Sequence, residues 1–173
     1  MGIYFEDIVA DQTHELGAYT FTRDSIVAFA TEYDPQVFHL DEEAGKASIY
    51  GAMTASGWHT TSVWLRMLID ERTREADLMR FRGERPAKYG PSPGFEALKW
   101  IKPVYVGDTV RYTTRVIEKR DSKSKPDVGL LYFQNEGHNQ HGIERRTGHA
   151  TRLQISSESR RLGTERSSGA CGR

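Results

Sequence analysis

The chain has 173 residues, with Lys plus Arg equal to Asp plus Glu at 24 each. That is the length of one domain able to bury a core, and the balance offers neither a global basic field for nucleic acid nor an acidic tail. The single cysteine, Cys171, stands in a polar stretch, which excludes an intrachain disulfide and a Cys-based metal site and fits a reducing compartment.

From the start of the chain to Thr20 the charged residues are Glu6, Asp7, Asp11 and Glu15, with no base, the wrong pattern for a signal or transit peptide. No apolar run approaches the ~18 residues of a membrane span. The expectation is a cytoplasmic protein with no membrane contact. Gly17–Thr22 reads as a short strand. Thr22 can cap a helix from Arg23 to about Tyr33, with Asp24 in its first turn favouring the dipole and Ile26, Val27, Phe29 and Ala30 at helical spacing. A short second helix runs from Asp41, its cap, to about Ala47. From Ser56 to Arg74 the residues Trp58, Val63, Trp64, Leu65, Met67, Leu68 and Ile69 spread around much of a long helix, the pattern of a helix wrapped on several sides.

Ala76–Pro93, rich in charge, Gly and Pro, reads as a long loop, a candidate lid or dimer contact. The period then changes to two. Phe95 to Ile101, Val110 to Val116, Leu131 to Gln134 and Arg152 to Ile155 read as four antiparallel strands, joined by turns at Val106–Asp108, Asp121–Pro126 and Asn139–Gly142. One long helix with a run of antiparallel strands is an α+β pattern, a sheet curled around a helix. Residues 1–156 form the expected single domain, and 157–173, almost wholly Ser, Gly, Arg and Glu, a disordered tail.

Chemistry concentrates between Tyr33 and Asp41, Tyr-Asp-Pro-Gln-Val-Phe-His-Leu-Asp. Pro35 fixes its own φ and pushes Asp34 out of the α region, so the first helix must stop there and the chain must bend. The bend turns Asp34 and His39 toward a common point, where an acid and an imidazole can hold and polarise one water. Spacing alone does not separate this pair from a helix cap beside a core imidazole. His59, on the long helix, reads as a satisfied core imidazole, and His14, His138, His141 and His149 lack the companions of a metal site. No Gly-rich phosphate loop and no serine-nucleophile motif occurs.

The stretch that follows, Ala44 to Thr61, ends in a small-residue entry into the long helix, and here the chain resembles the MaoC-like dehydratases, which include the (R)-specific enoyl-CoA hydratases. Their motif reads Asp-x-Asn-Pro-x-His-x-Asp, then an aromatic, then a small-His-Gly turn opening the central helix. Asp34, His39 and Asp41 match, Tyr50 stands at the aromatic and Gly57 at the turn glycine. Gln36-Val37 replaces Asn-Pro, and Ser56 replaces the histidine before the glycine. The resemblance covers about residues 4 to 155 and implies the hot-dog fold.

It also implies a chemistry: reversible addition of water to a trans-2-enoyl thioester. Asp34 would be the base and His39 the group that assists and returns a proton. The Gly57 N–H would hold the enolate oxygen. Gln36, Phe38, Tyr50, Ser56 and Trp58 would line the substrate site. Asp41 reads as a cap more than a participant. No metal and no cofactor is expected beyond CoA as part of an acyl-CoA substrate, and the family is usually dimeric, so a homodimer or higher homo-oligomer is the expected partner state. Residues 1–60 hold ten acids against Arg23 and Lys46, leaving the rest basic enough to receive nucleotide phosphates. Two alternatives share the fold: a hot-dog thioesterase, disfavoured because no acid stands between Tyr50 and Asp70, and a noncatalytic acyl-thioester binding module.

Overall fold

The computed structural model describes residues 4–92, 94–123, 128–141 and 151–158. In chain order the elements are β1 (Thr13–Thr20), α1 (Arg23–Tyr33), α2 (Val37–Leu40), α3 (Glu42–Ala47), α4 (Gly57–Phe81), β2 (Lys88–Tyr89), β3 (Gly94–Glu96), β4 (Thr109–Asp121), β5 (Gly129–His138) and β6 (Thr151–Glu158). The sheet runs β1-β4-β5-β6-β2, antiparallel throughout, and β3 also pairs with β6. Its six strands curl around α4. This is the hot-dog fold.

The two-residue period decides which side of the sheet meets the helix. Along β4, Val110, Tyr112, Thr114 and Val116 are buried while their neighbours are not, and β5 repeats this with Leu131, Phe133 and Asn135. Helix α4 turns Trp64 and Leu68 into that surface, joined by Phe21, Ile26 and Met53. Each large apolar side chain so buried contributes about 1.5–3 kcal/mol. The Tyr112 hydroxyl donates to the Thr60 carbonyl at 3.0 Å, so this buried phenol pins the helix to the sheet.

The first helix is as expected: Thr22 accepts from the Ser25 N–H, and α1 stops at Tyr33. Asp41 accepts from the Ala44 N–H and caps α3. Three expectations are corrected. The first strand is Thr13–Thr20, because Thr22 is spent as a cap and Phe21 leaves the ladder for the core. Helix α4 continues to Phe81 rather than ending at Arg74, since the Arg80–Asp77 ion pair and buried Met79 carry it two turns further, and Gly83, at φ +75°, then reverses the chain. Phe95 to Ile101 is not one strand: pairing with β6 ends at Glu96, and Ala97 adopts φ +55°. Strand β6 runs to Glu158. The rest of the expected tail, with Pro126 and Gly142 of the expected turns, lies outside the described residues.

Nor is α4 covered on every side that its apolar residues reach. Trp58, Leu65 and Ile69 are close to half exposed, so the sheet covers one face and an apolar stripe is left open on the other. No helix among the described residues is long and apolar enough to cross a membrane.

Helix α3 reaches the body of the domain through Gly45. A Cβ there would lie 2.5 Å from the Met53 nitrogen and 2.7 Å from its Cα, and backbone cannot swing aside as a side chain can. Gly45→Ala is therefore expected to cost about 2 kcal/mol, read from urea unfolding at neutral pH. An unchanged midpoint would show that the α3 contact is not fixed in solution.

Candidate active site

The bend at Pro35 is built as its sequence demands. Asp34 closes α1 with φ −152° and ψ 68°, its N–H returned to the Ala30 carbonyl, and the Gln36 N–H donates to the Asp34 carbonyl at 2.7 Å. One helical turn, α2, then drops His39 inward to 5% exposure. A carbonyl only accepts, so the 2.7 Å contact from His39 Nδ1 to the Thr54 carbonyl places a proton on Nδ1. Nε2 is left facing the Asp34 carboxylate, 3.4 Å from Oδ2.

Asp34 is held from two other directions. Gln36 Nε2 donates to Oδ1 at 2.8 Å, and the Ser56 hydroxyl hydrogen-bonds the same carboxylate. Burial pushes its pKa up, but the bonds from Ser56 and Gln36, together with the charge His39 can carry, outweigh burial and hold it below the usual carboxylate value. Asp34 is thus ionised at neutral pH. An ionised carboxylate and a bare imidazole nitrogen are two acceptors aimed at one point, an arrangement that calls for a shared donor.

Of the other expected site residues, Phe38 lies edge-on to His39 with ring centroids 4.5 Å apart, and Tyr50 packs on Phe38 at 5.3 Å. Both therefore buttress the imidazole. Ser56 is fully buried and serves twice, capping α4 by accepting from the Trp58 N–H at 3.2 Å while binding Asp34. Gly57 opens α4, and no hydrogen bond among the described residues uses its N–H. Trp58 stands apart from the pair, half exposed, against Trp100 and Phe95.

Two residues took on more than their sequence signals suggested. Trp100, expected on a strand, lays its indole against Gly57: a Cβ at Gly57 would come within 2.4 Å of that ring. No periodicity could have announced it. His59 is core, as expected, yet not satisfied. It stacks on Phe29 with centroids 4.6 Å apart, lies edge-on to Phe21 at 5.0 Å, and its Nδ1 is buried without a partner. Burial first, and the charge on nearby His39 second, lower its pKa to about 4.

A model of the MaoC-like domain family matches residues 9–132. The uncharacterized protein YdeM of Bacillus subtilis is 23% identical over 139 residues, 80% of this chain and 89% of that one. Among solved structures, a MaoC-like dehydratase from Rhodospirillum rubrum superposes with a TM-score of 0.74 at 29% identity, covering 93% of this chain and all of that one. The R-hydratase PhaJ1 from Pseudomonas aeruginosa superposes at 0.58 with 14% identity, covering 91% of this chain and 86% of that one, a likeness of fold.

The state of His59 gives a stability signature. An unfolded chain takes up a proton there near pH 6.5, the folded protein only near about 4, so acid favours the unfolded state across that window. On the order of 2–3 kcal/mol should be lost between pH 6.5 and 4 through this residue, with its full contribution present above pH 6.5. His59→Phe keeps the stacking and removes the titration. Urea midpoints measured at pH 7 and 4.5 should fall less in the variant than in the wild type, and parallel falls would sink the assignment.

Proposed function

Because the chain belongs to the MaoC-like domain family, we propose that it is a hydro-lyase that adds water reversibly to a trans-2-enoyl thioester. The observation that carries the reading is the convergence of the Asp34 carboxylate and His39 Nε2, 3.4 Å apart, with the opposite imidazole nitrogen tied to the Thr54 carbonyl. One water can donate a hydrogen to each. That fixes its oxygen lone pair toward whatever electrophile lies between the pair and the start of α4.

Hydration needs three things: oxygen delivered to Cβ, a proton delivered to Cα, and a place for the negative charge that passes through the thioester oxygen. As the water oxygen bonds to Cβ, Asp34 takes the proton that leaves it. The π electrons move toward the thioester carbonyl, whose oxygen becomes an enolate held by the Gly57 N–H at the positive end of α4. His39 Nε2 takes up the proton from Asp34 and returns it to Cα as the carbonyl re-forms. One O–H and one C=C π bond are consumed, one C–O and one C–H bond are made, and both side chains end as they began. The depressed pKa of Asp34 keeps the accepting form available at neutral pH.

The site residues suit this division of labour. Gln36 and Ser56 aim the carboxylate, and Phe38 and Tyr50 hold the imidazole plane. CoA, as the carrier of the acyl group, is the substrate form we assign, with no other cofactor in the step. The open apolar stripe of α4 at Leu65 and Ile69 is of the kind that a second copy would cover, which supports a homodimer.

Purified protein mixed with crotonyl-CoA should abolish the enoyl absorbance without releasing thiol. Asp34→Asn and His39→Ala should each lower kcat by about 10²–10⁴. Thiol release would instead identify hydrolysis of the thioester, and silence from folded protein over several acyl lengths would overturn the reading.

A further inference from the structure

The segment between β3 and β4 crosses the start of α4 as a strap fixed at both ends. On one side β3 is paired with β6 through Glu96. On the other, the Ala55 N–H donates to the Val104 carbonyl at 2.8 Å and Tyr105 bridges to Thr54. Between these anchors Ala97 takes a left-handed backbone, φ +55°, and Trp100 lies on Gly57 with Nε1 donating to Thr61 Oγ1 at 3.3 Å. Trp58 meets Trp100 edge-on at 5.2 Å, and Phe95 meets Trp58 at 6.4 Å.

The result is an apolar ledge of three rings exposed by 48% (Trp58), 48% (Phe95) and 43% (Trp100). Its inner ring rests on Gly57, the residue that follows Ser56, and Ser56 hydrogen-bonds Asp34. The strap from Ala97 to Gly107 contains Lys99 and Lys102 and no acid. A ledge open to solvent along its length is unsuited to an acyl tail, which gains from full burial. It suits a chain of methylenes and amides that must lie half in water, end in a phosphate beside cations, and deliver a thioester to the helix start.

Resting on the hydro-lyase reading, we propose that Trp100, with Trp58 and Phe95, is the seat of the phosphopantetheine arm of the substrate, and that Trp100 sets the preference for arm-bearing thioesters over truncated ones. The arm is common to CoA and to acyl carrier protein. The basic strap would face its phosphate in either case.

The test compares crotonyl-CoA, crotonyl-pantetheine, crotonyl carrier protein and the crotonyl thioester of N-acetylcysteamine, with wild-type protein, Trp100→Ala and Trp100→Phe. Trp100→Ala should raise KM about tenfold for the three arm-bearing thioesters, with kcat within twofold, and leave the truncated one unmoved. Trp100→Phe should fall between, which guards against misfolding of the alanine variant. The lower wild-type KM of the CoA and carrier-protein forms identifies the source of the arm. A parallel loss on the truncated thioester, a loss confined to the nucleotide-bearing form, or dissociation of an oligomer on substitution would overturn the proposal. Calorimetry with saturated butyryl-CoA, which cannot be hydrated, separates the two readings. Binding weakened tenfold by Trp100→Ala in a protein that hydrates nothing upholds the arm and fells the hydro-lyase. A hydrating protein whose butyryl-CoA affinity ignores Trp100 does the reverse.

Discussion

The contact on which the site depends is the hydrogen bond from His39 Nδ1 to the Thr54 carbonyl. It is short, buried, and made to an atom that can only accept, so it decides the tautomer and with it the free nitrogen that faces Asp34. Thr54 can do this because its own position is over-determined. Its N–H donates to the Phe38 carbonyl at 3.3 Å, its backbone bridges to Tyr105, and the next N–H, that of Ala55, is taken by Val104. The tautomer of the histidine is therefore set by the backbone of a strand-like segment stapled between the α2 turn and the strap. A backbone acceptor does not titrate, so this orientation holds at any pH at which the fold holds.

Around that contact the electrostatics divide cleanly. Asp34, partly exposed, keeps its charge because Ser56 and Gln36 donate to it. His59, deeper and two residues into α4, stays neutral because its surroundings are aromatic rings, and the start of a helix is a poor place for a cation. A positive charge at His59 would compete for the Asp34 carboxylate that His39 faces. Keeping His59 neutral leaves the Asp34 carboxylate facing one imidazole, and Phe29 and Phe21 are the residues that enforce this.

What the sequence made legible is what is local. Pro35 ends a helix wherever it stands, Thr22 and Asp41 cap whatever follows them, and the alternation along Val110–Val116 needs no partner to be read. The continuation of α4 was hidden by averaging. Ala76 to Phe81 are good helix formers apart from Asp77 and Phe81, but the Gly and Pro residues after Arg82 lent the whole stretch the composition of a loop. The strap was hidden more deeply. Phe95 to Ile101 has the alternation of a strand, and only its docking on Gly57, some forty positions earlier in the chain, shows why it leaves the sheet after Glu96. The geometry around Asp34 and His39 was legible only as a bend. That Ser56 would both cap α4 and bind the carboxylate is a long-range fact with no local signature.

The small residues from Gly51 to Gly57 follow from the same geometry. This segment, Gly-Ala-Met-Thr-Ala-Ser-Gly, has α3 on one side and the strap on the other, and each approaches at backbone distance. Gly45 of α3 meets the Met53 backbone, and Gly57 itself meets the Trp100 ring, so at both contacts the missing side chain is what lets the neighbour in. Larger residues would push α3 and the strap outward and loosen the segment that carries Thr54. Only Met53 carries bulk here, and it points into the core. A chain selected merely to cross from one helix to the next would have no need of this sequence. A chain that must hold one carbonyl still, between two elements packed at backbone distance, does.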